Sequence, residues 1–173
     1  MIIYKDIVSG DEIISDTYGL KDVDDVVYEV DCKKITKGSE QFDIGANPSA
    51  EEQEEALDET TEQVIDVVDA FRLNKMEGAF TTKKAFQGQF KGYLKKVVEK
   101  FKADGASEDK IKSFQTGVQE YYTKKIAPNF TDFDFYAGES MDPDGMIVLL
   151  NYREDGLTPY VVIWKHGLTA MKV

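Results

Sequence analysis

Disulfide and zinc chemistry are closed to this chain by scarcity, because Cys32 is its only cysteine and His166 its only histidine. One thiol forms no internal disulfide, and one Cys with one His cannot complete a four-ligand structural zinc site. Long apolar runs are missing too. Met146 to Leu150 has the length of a core strand, far below the ~18 residues of a membrane span. The opening Met1-Ile2-Ile3-Tyr4-Lys5-Asp6 has no basic flank before a long apolar stretch, so no signal peptide is predicted and the cytoplasm is the expected compartment. Gly-rich phosphate loops and dinucleotide fingerprints do not occur. Gly138-Glu139-Ser140-Met141-Asp142 carries Asp where a nucleophile elbow needs its last Gly, and nothing in the spacing pairs His166 with Cys32 or a serine. No catalytic constellation is expected, and His166 reads as a surface turn residue before Gly167.

What is present suits a globular fold. The 173 residues are 42% hydrophobic and 12% aromatic, enough for a single domain that buries about 70% of its unfolded surface. Acidic residues outnumber basic ones by 33 to 21, a net charge of −12. Such a chain repels nucleic-acid phosphates unless its positive charge is segregated.

It is segregated. From Gly38 to Asp69 there are eleven Asp and Glu and no Lys or Arg, and the centre, Asn47 to Glu55, has almost nothing to bury; 38–61 reads as a mobile acidic loop. From Lys83 to Ile126 eleven lysines face five acids, a charge of +6 that leaves −18 on the remainder. Lys84, Lys91, Lys95, Lys96 and Lys102 are the candidates for an acidic partner. A second reading, that these lysines only solvate the helix or offset the acidic loop, stands beside it. Without Arg or interleaved stacking aromatics, direct nucleic-acid binding is not expected.

Periodicity assigns the elements. The first 37 residues are strand-like, with Val26, Tyr28 and Val30 alternating at period two. Phe86, Phe90, Leu94, Val97 and Phe101 form one helical stripe over Lys83–Lys102, ended at Ala103-Asp104-Gly105. Ser107 caps a second helix with the stripe Ile111, Phe114, Val118, Tyr121 and Ile126, closed by Pro128. Strands follow at 133–137, 146–152 and 160–165, with Asp142-Pro143-Asp144-Gly145 and Glu154-Asp155-Gly156 as hairpin turns. Val64 to Phe71 fits either helix or strand. The fold class is α+β: a sheet body over 1–37, 62–82 and 129–173, with a helical hairpin inserted at 83–127.

Glu139, Asp142 and Asp144 gather hard oxygens around one turn, which is what calcium requires. Gly145 is misplaced for an EF-hand, and Leu149 and Leu150 fall where ligands would be, so any calcium site is weak. Asp-Pro-Asp-Gly is also simply a good turn. Locally, nothing marks Glu12 among the acids.

Ile44-Gly45-Ala46-Asn47-Pro48-Ser49-Ala50-Glu51-Glu52 resembles one signature of the translationally controlled tumour protein family. Phe135 to Met146, continuing through Asn151-Tyr152-Arg153-Glu154-Asp155-Gly156, resembles the other. The opening hexapeptide and Asp11-Glu12 fit as well, in order along the whole chain. The resemblance implies a twisted β tent with a helical hairpin and a mobile acidic loop, and it makes Val64 to Phe71 a strand. The tent is similar to a zinc-binding chaperone of Rab GTPases, whose zinc cysteines are missing here. It further implies calcium binding, microtubule (tubulin) association through the region matching Lys83 to Lys125, and a link to growth control. Small GTPases of the Rheb type, contacted through Glu12, and translation elongation factors complete the implied partners.

Overall fold

Described over residues 1–37 and 62–173 in a computed structural model, the chain begins with strands. The acidic loop expected over 38–61 lies outside the described residues. In order come β1 (Ile2–Asp6), β2 (Glu12–Ser15), β3 (Leu20–Val23), β4 (Val27–Asp31), β5 (Lys34–Lys37), β6 (Glu62–Ile65), a one-turn helix α1 (Asp66–Ala70) and β7 (Asn74–Lys75). The hairpin helices are α2 (Lys83–Ala103) and α3 (Glu108–Tyr121). A π turn (Tyr122–Ile126) and a 3-10 turn (Ala127–Asp132) lead to β8 (Asp134–Ala137), β9 (Val148–Tyr152), β10 (Pro159–Trp164) and β11 (Leu168–Lys172).

The strands pair antiparallel into a three-stranded sheet, β11-β1-β2, a six-stranded sheet, β3-β4-β10-β9-β8-β7, and the β5-β6 ribbon. This is the expected α+β arrangement, a sheet body carrying an inserted two-helix hairpin. In β10 every residue but Tyr160 is buried, because the strand lies between β4 and β9 and the hairpin covers its end. Trp164 is the meeting point: its ring centroid lies 4.3 Å from that of Phe90 in α2 and 6.2 Å from that of Tyr121 in α3, and its indole N–H donates to the Ile147 carbonyl.

The hairpin forms where its stripes and the Ser107 cap predict, and Thr82 caps the first helix as well. Thr82 Oγ1 accepts from the Ala85 N–H and Ser107 Oγ from the Lys110 N–H, satisfying donors that each helix start leaves open. Gly105 takes φ +77°, the left-handed region that lets the chain leave α2 without a Cβ clash. Within α2 the buried residues are Phe86, Phe90, Tyr93 and Val97. At roughly 1.5–3 kcal/mol per buried side chain, they outweigh the ~1 kcal/mol that Gly88 and Gly92 each cost the helix. The expected stripe is corrected at its centre, and at its end Phe101 is half-buried. Tyr93 takes the inward position, and Leu94 is only half-buried on the outer side. The α3 stripe, Ile111, Phe114, Val118, Tyr121 and then Ile126, is buried as expected.

Four further expectations change. Val64 to Phe71 is not one strand: β6 ends at Ile65, and Asp66 Oδ1 accepts from the N–H groups of Lys33 and Val67, starting a helical turn that buries Val67 completely. Pro128 does not end the helical path but sits in the first turn of the 3-10 segment, where it has no needed N–H to lose. The 142–145 turn lies inside a longer connection, since β9 begins at Val148 rather than Met146. β11 escaped the periodicity reading because its exposure follows no clean alternation; its place is set by pairing with β1, Ile2 opposite Lys172 through Asp6 opposite Leu168.

Candidate functional site

The residues singled out in the sequence fall on two surfaces. The first surrounds Glu12. The β1–β2 turn closes when the Asp6 N–H donates to the Asp11 carbonyl and the Gly10 N–H to the Asp6 carbonyl. Asp6 is 1% exposed, and its carboxylate accepts from Val8 N, Ser9 N, Ser9 Oγ, Tyr93 Oη and Met146 N. Strand, turn, helix α2 and the loop before β9 are thereby tied to one buried charge. Burial, with the Asp6 charge beside it, pushes the Tyr93 phenol far above its ordinary pKa, so the hydroxyl stays a donor.

Asp11 holds the neighbouring loop: its Oδ2 accepts from Ser140 Oγ at 2.7 Å and from the Ser140 N–H at 3.2 Å. Gly138 is in close contact, and a Cβ there would overlap the Asp11 carboxylate. Asn74 Nδ2 donates to the Gly138 carbonyl, and Gln89 Nε2 from α2 donates to the carbonyls of Pro143 and Gly145. The loop is thus clamped from three sides. Glu12 follows Asp11 into β2, opposite Lys5, with its carboxylate exposed and unpaired among the described residues.

The three calcium candidates do not converge. Glu139 pairs with Arg72 at 2.9 Å, and Asp142 Oδ1 accepts from the Asp144 N–H inside their own turn. Among the described residues no group of three or more His, Cys, Asp or Glu side chains is placed to hold a metal ion. The Arg72–Glu139 and Asp11–Ser140 contacts link residues 67 and 129 apart, and no local signal announces them.

The second surface is the outer face of the hairpin. Lys84, Lys91, Lys95, Lys96 and Lys102 are all exposed, and none pairs with a described carboxylate. Steps of seven, four and seven residues put Lys84, Lys91, Lys95 and Lys102 on one helical face. Lys96 is turned about 100° away from them, beside a depression lined by Ile7, Val8, Lys100 and Thr169. Lys91 and Lys95 edge a groove of about 690 Å³ between α2 and α3, floored by Phe90, Leu94, Val98 and Val118.

His166 and Cys32 serve the fold. His166 was expected in a surface turn; it lies in a 3-10 turn, half-buried, with its ring centroid 5.3 Å from those of Phe101 and Phe114 and its Nε2 donating to the Asp25 carbonyl at 2.7 Å. The hairpin's far end rests on that ring. Cys32 is buried, and desolvation pushes its thiol up to about 12. No described helix is long and apolar enough to cross a membrane.

Comparisons with known proteins agree along the whole chain. The family model described as translationally controlled tumour protein matches residues 1–169. A homologue from Alternaria alternata is 60% identical and one from Neurospora crassa 53%, each over 100% of both chains. Among solved structures, the Schizosaccharomyces pombe translationally controlled tumour-associated protein superposes with a TM-score of 0.77 at 47% identity, covering 100% of both chains. The Caenorhabditis elegans protein gives 0.72 at 27% identity, covering 100% of this chain and 99% of the other.

Proposed function

The chain belongs to the translationally controlled tumour protein family of non-enzymatic binding proteins, and we propose that it acts in the cytoplasm as a multi-partner adaptor whose hairpin lysines take acidic protein surfaces, tubulin in microtubules first among them. The observation that carries this reading is the row Lys84, Lys91, Lys95 and Lys102, exposed on one helical face and unpaired among the described residues. Free ammonium groups on a +6 hairpin attract an acidic surface and speed encounter with it. Stabilisation of microtubules and a link to translation and growth control follow from the same partner set.

Co-sedimentation with microtubules tests it. Changing Lys84, Lys91 and Lys95 to Gln should weaken pelleting roughly ten-fold at low salt, about 0.5 kcal/mol for each exposed charge. Lys96→Gln, off that face, should change it little. Unchanged pelleting by the triple variant removes the electrostatic reading.

A second reading rests on Glu12, whose free carboxylate stands beside a loop clamped by Asp11. Here the protein regulates nucleotide exchange or dissociation on a Rheb-type small GTPase and on a translation elongation factor, with Glu12 at the switch region. Purified protein should accelerate nucleotide release and Glu12→Val should abolish the acceleration; none by the parent protein ends this reading. Binding without acceleration would mark a holding role. Calcium at Glu139, Asp142 and Asp144 would be weak, because Glu139 must first leave Arg72. Calorimetric titration should show Arg72→Ala binding calcium more tightly than the parent.

A further inference from the structure

We propose that the groove between α2 and α3 is a docking site for an acidic amphipathic helix of a partner protein, seated as a third helix against the hairpin. This inference rests on the reading of the hairpin as an acid-binding surface and adds an apolar requirement to it. The groove exists because Tyr93, not Leu94, takes the inward position on α2. That choice leaves Leu94, Val98 and Tyr122 half-buried and facing outward over the buried Phe90 and Val118.

Shape and charge together select the occupant. Lining residues recur at successive turns, from Gln87 to Val98 along α2 and from Gln115 along α3 to Thr123 in the π turn that continues it. Eleven steps at a 1.5 Å rise, from Gln87 to Val98, make a trough roughly 16 Å long, three turns of a helix laid along it. A trough between two packed helices receives a third through side chains at i, i+3 or i+4, and i+7. At one end Gln87 Nε2 donates to Tyr122 Oη at 3.0 Å, bridging the helices and holding the trough's width.

The rim is lopsided in charge. Lys91 and Lys95 stand on the α2 side, Gln115, Gln119 and Thr123 on the α3 side, and among the described residues no carboxylate lines the groove. Neither rim lysine has an acidic partner among the described residues. A docked helix with carboxylates along one flank would supply them. A flexible polyacidic tail would satisfy the lysines but leave the apolar floor wet, so the geometry favours the amphipathic helix over the bare tail.

Fluorescence anisotropy on the full chain, with two labelled probes carrying the same number of Glu residues, tests this. One probe is a three-turn helical peptide with Leu at i, i+4 and i+7 and Glu on one flank; the other is oligoglutamate. Leu94→Gln with Val98→Gln should weaken the helical probe roughly ten-fold, the effect of losing two apolar contacts, and leave oligoglutamate binding unchanged. Lys91→Gln with Lys95→Gln should weaken both probes. Gln119→Lys, on an exposed rim position that does not disturb the fold, should strengthen the helical probe, whereas Ser113→Lys, exposed but outside the groove, should not. Equal affinities for the two probes, or a helical probe indifferent to both Leu94/Val98 and Gln119, would overturn the inference while leaving the acid-binding reading intact. Indifference of both probes to Lys91/Lys95 would remove that reading itself. Sedimentation of the protein alone decides against a second copy: a dimer abolished by Leu94→Gln with Val98→Gln would make the occupant another copy of this chain and overturn the proposal.

Discussion

Tyr93→Phe deletes one hydroxyl and nothing else, which makes it the sharpest probe of how the hairpin is fastened to the sheets. That hydroxyl donates to Asp6 Oδ1 at 2.9 Å, one of five donors around a carboxylate that is 1% exposed. Asp6 has no cationic partner among the described residues, so these donors alone offset the cost of burying its charge. A hydrogen bond to an ionised group contributes about 1.5–3 kcal/mol, and four donors remain, so the loss should be about 2 kcal/mol. For a chain of this size that lowers Tm by roughly 4–8 °C. Urea unfolding should show a reduced midpoint with an unchanged slope, the signature of altered stability without an altered unfolded state.

Tyr121→Phe is the internal control. Its hydroxyl donates at the same 2.9 Å to Glu29 Oε2, but Glu29 also pairs with Arg153 at 2.6 Å. Because that guanidinium keeps neutralising the buried charge, Tyr121→Phe should cost less than Tyr93→Phe. A loss below about 0.5 kcal/mol for Tyr93→Phe, or the reverse order of the two variants, would refute the reasoning.

Two further outcomes follow from the charges in the body. Arg153→Met leaves Glu29, whose side chain is 6% exposed, without its cation and removes the stack on Tyr160 at 3.9 Å; urea unfolding should show a loss of about 3 kcal/mol, the low end for a broken buried pair because Arg153 itself is partly exposed. The Lys165 hydrogen bond holds the Asp25 carboxyl below its ordinary pKa against a smaller opposing effect of burial. A depressed folded-state pKa contributes stability that is present above the unfolded value of about 3.9 and is lost as pH falls through the folded value. Unfolding compared at about pH 6 and about pH 3 should show a shallower acid loss for Asp25→Asn than for the parent, and equal losses would count against the pair.

Much of the hairpin was legible before any coordinates. The apolar steps in α2 and α3, the Ser107 cap and the Gly105 exit are local features, and the lysine excess is a matter of counting, whereas the Thr82 cap emerged only with the structure. Glu12 was legible only through family resemblance, because an exposed carboxylate carries no local mark. The calcium trio shows the opposite case. Glu139, Asp142 and Asp144 are close in sequence, yet Glu139 turns to Arg72, a partner supplied by another part of the chain. His166 likewise looked like a turn residue until two phenylalanines from the hairpin closed over it.

Read alone, the chain decides which stretches are helical, where charge accumulates and that opposite charges lie in different segments, since these depend on neighbours within one or two turns. Folding decided the rest. It put Tyr93 inward and Leu94 outward, and brought Tyr93 and Met146 to Asp6 across 87 and 140 residues. A buried carboxylate must find its donors wherever the sheets and helix meet, and no periodicity within a single segment specifies that meeting point.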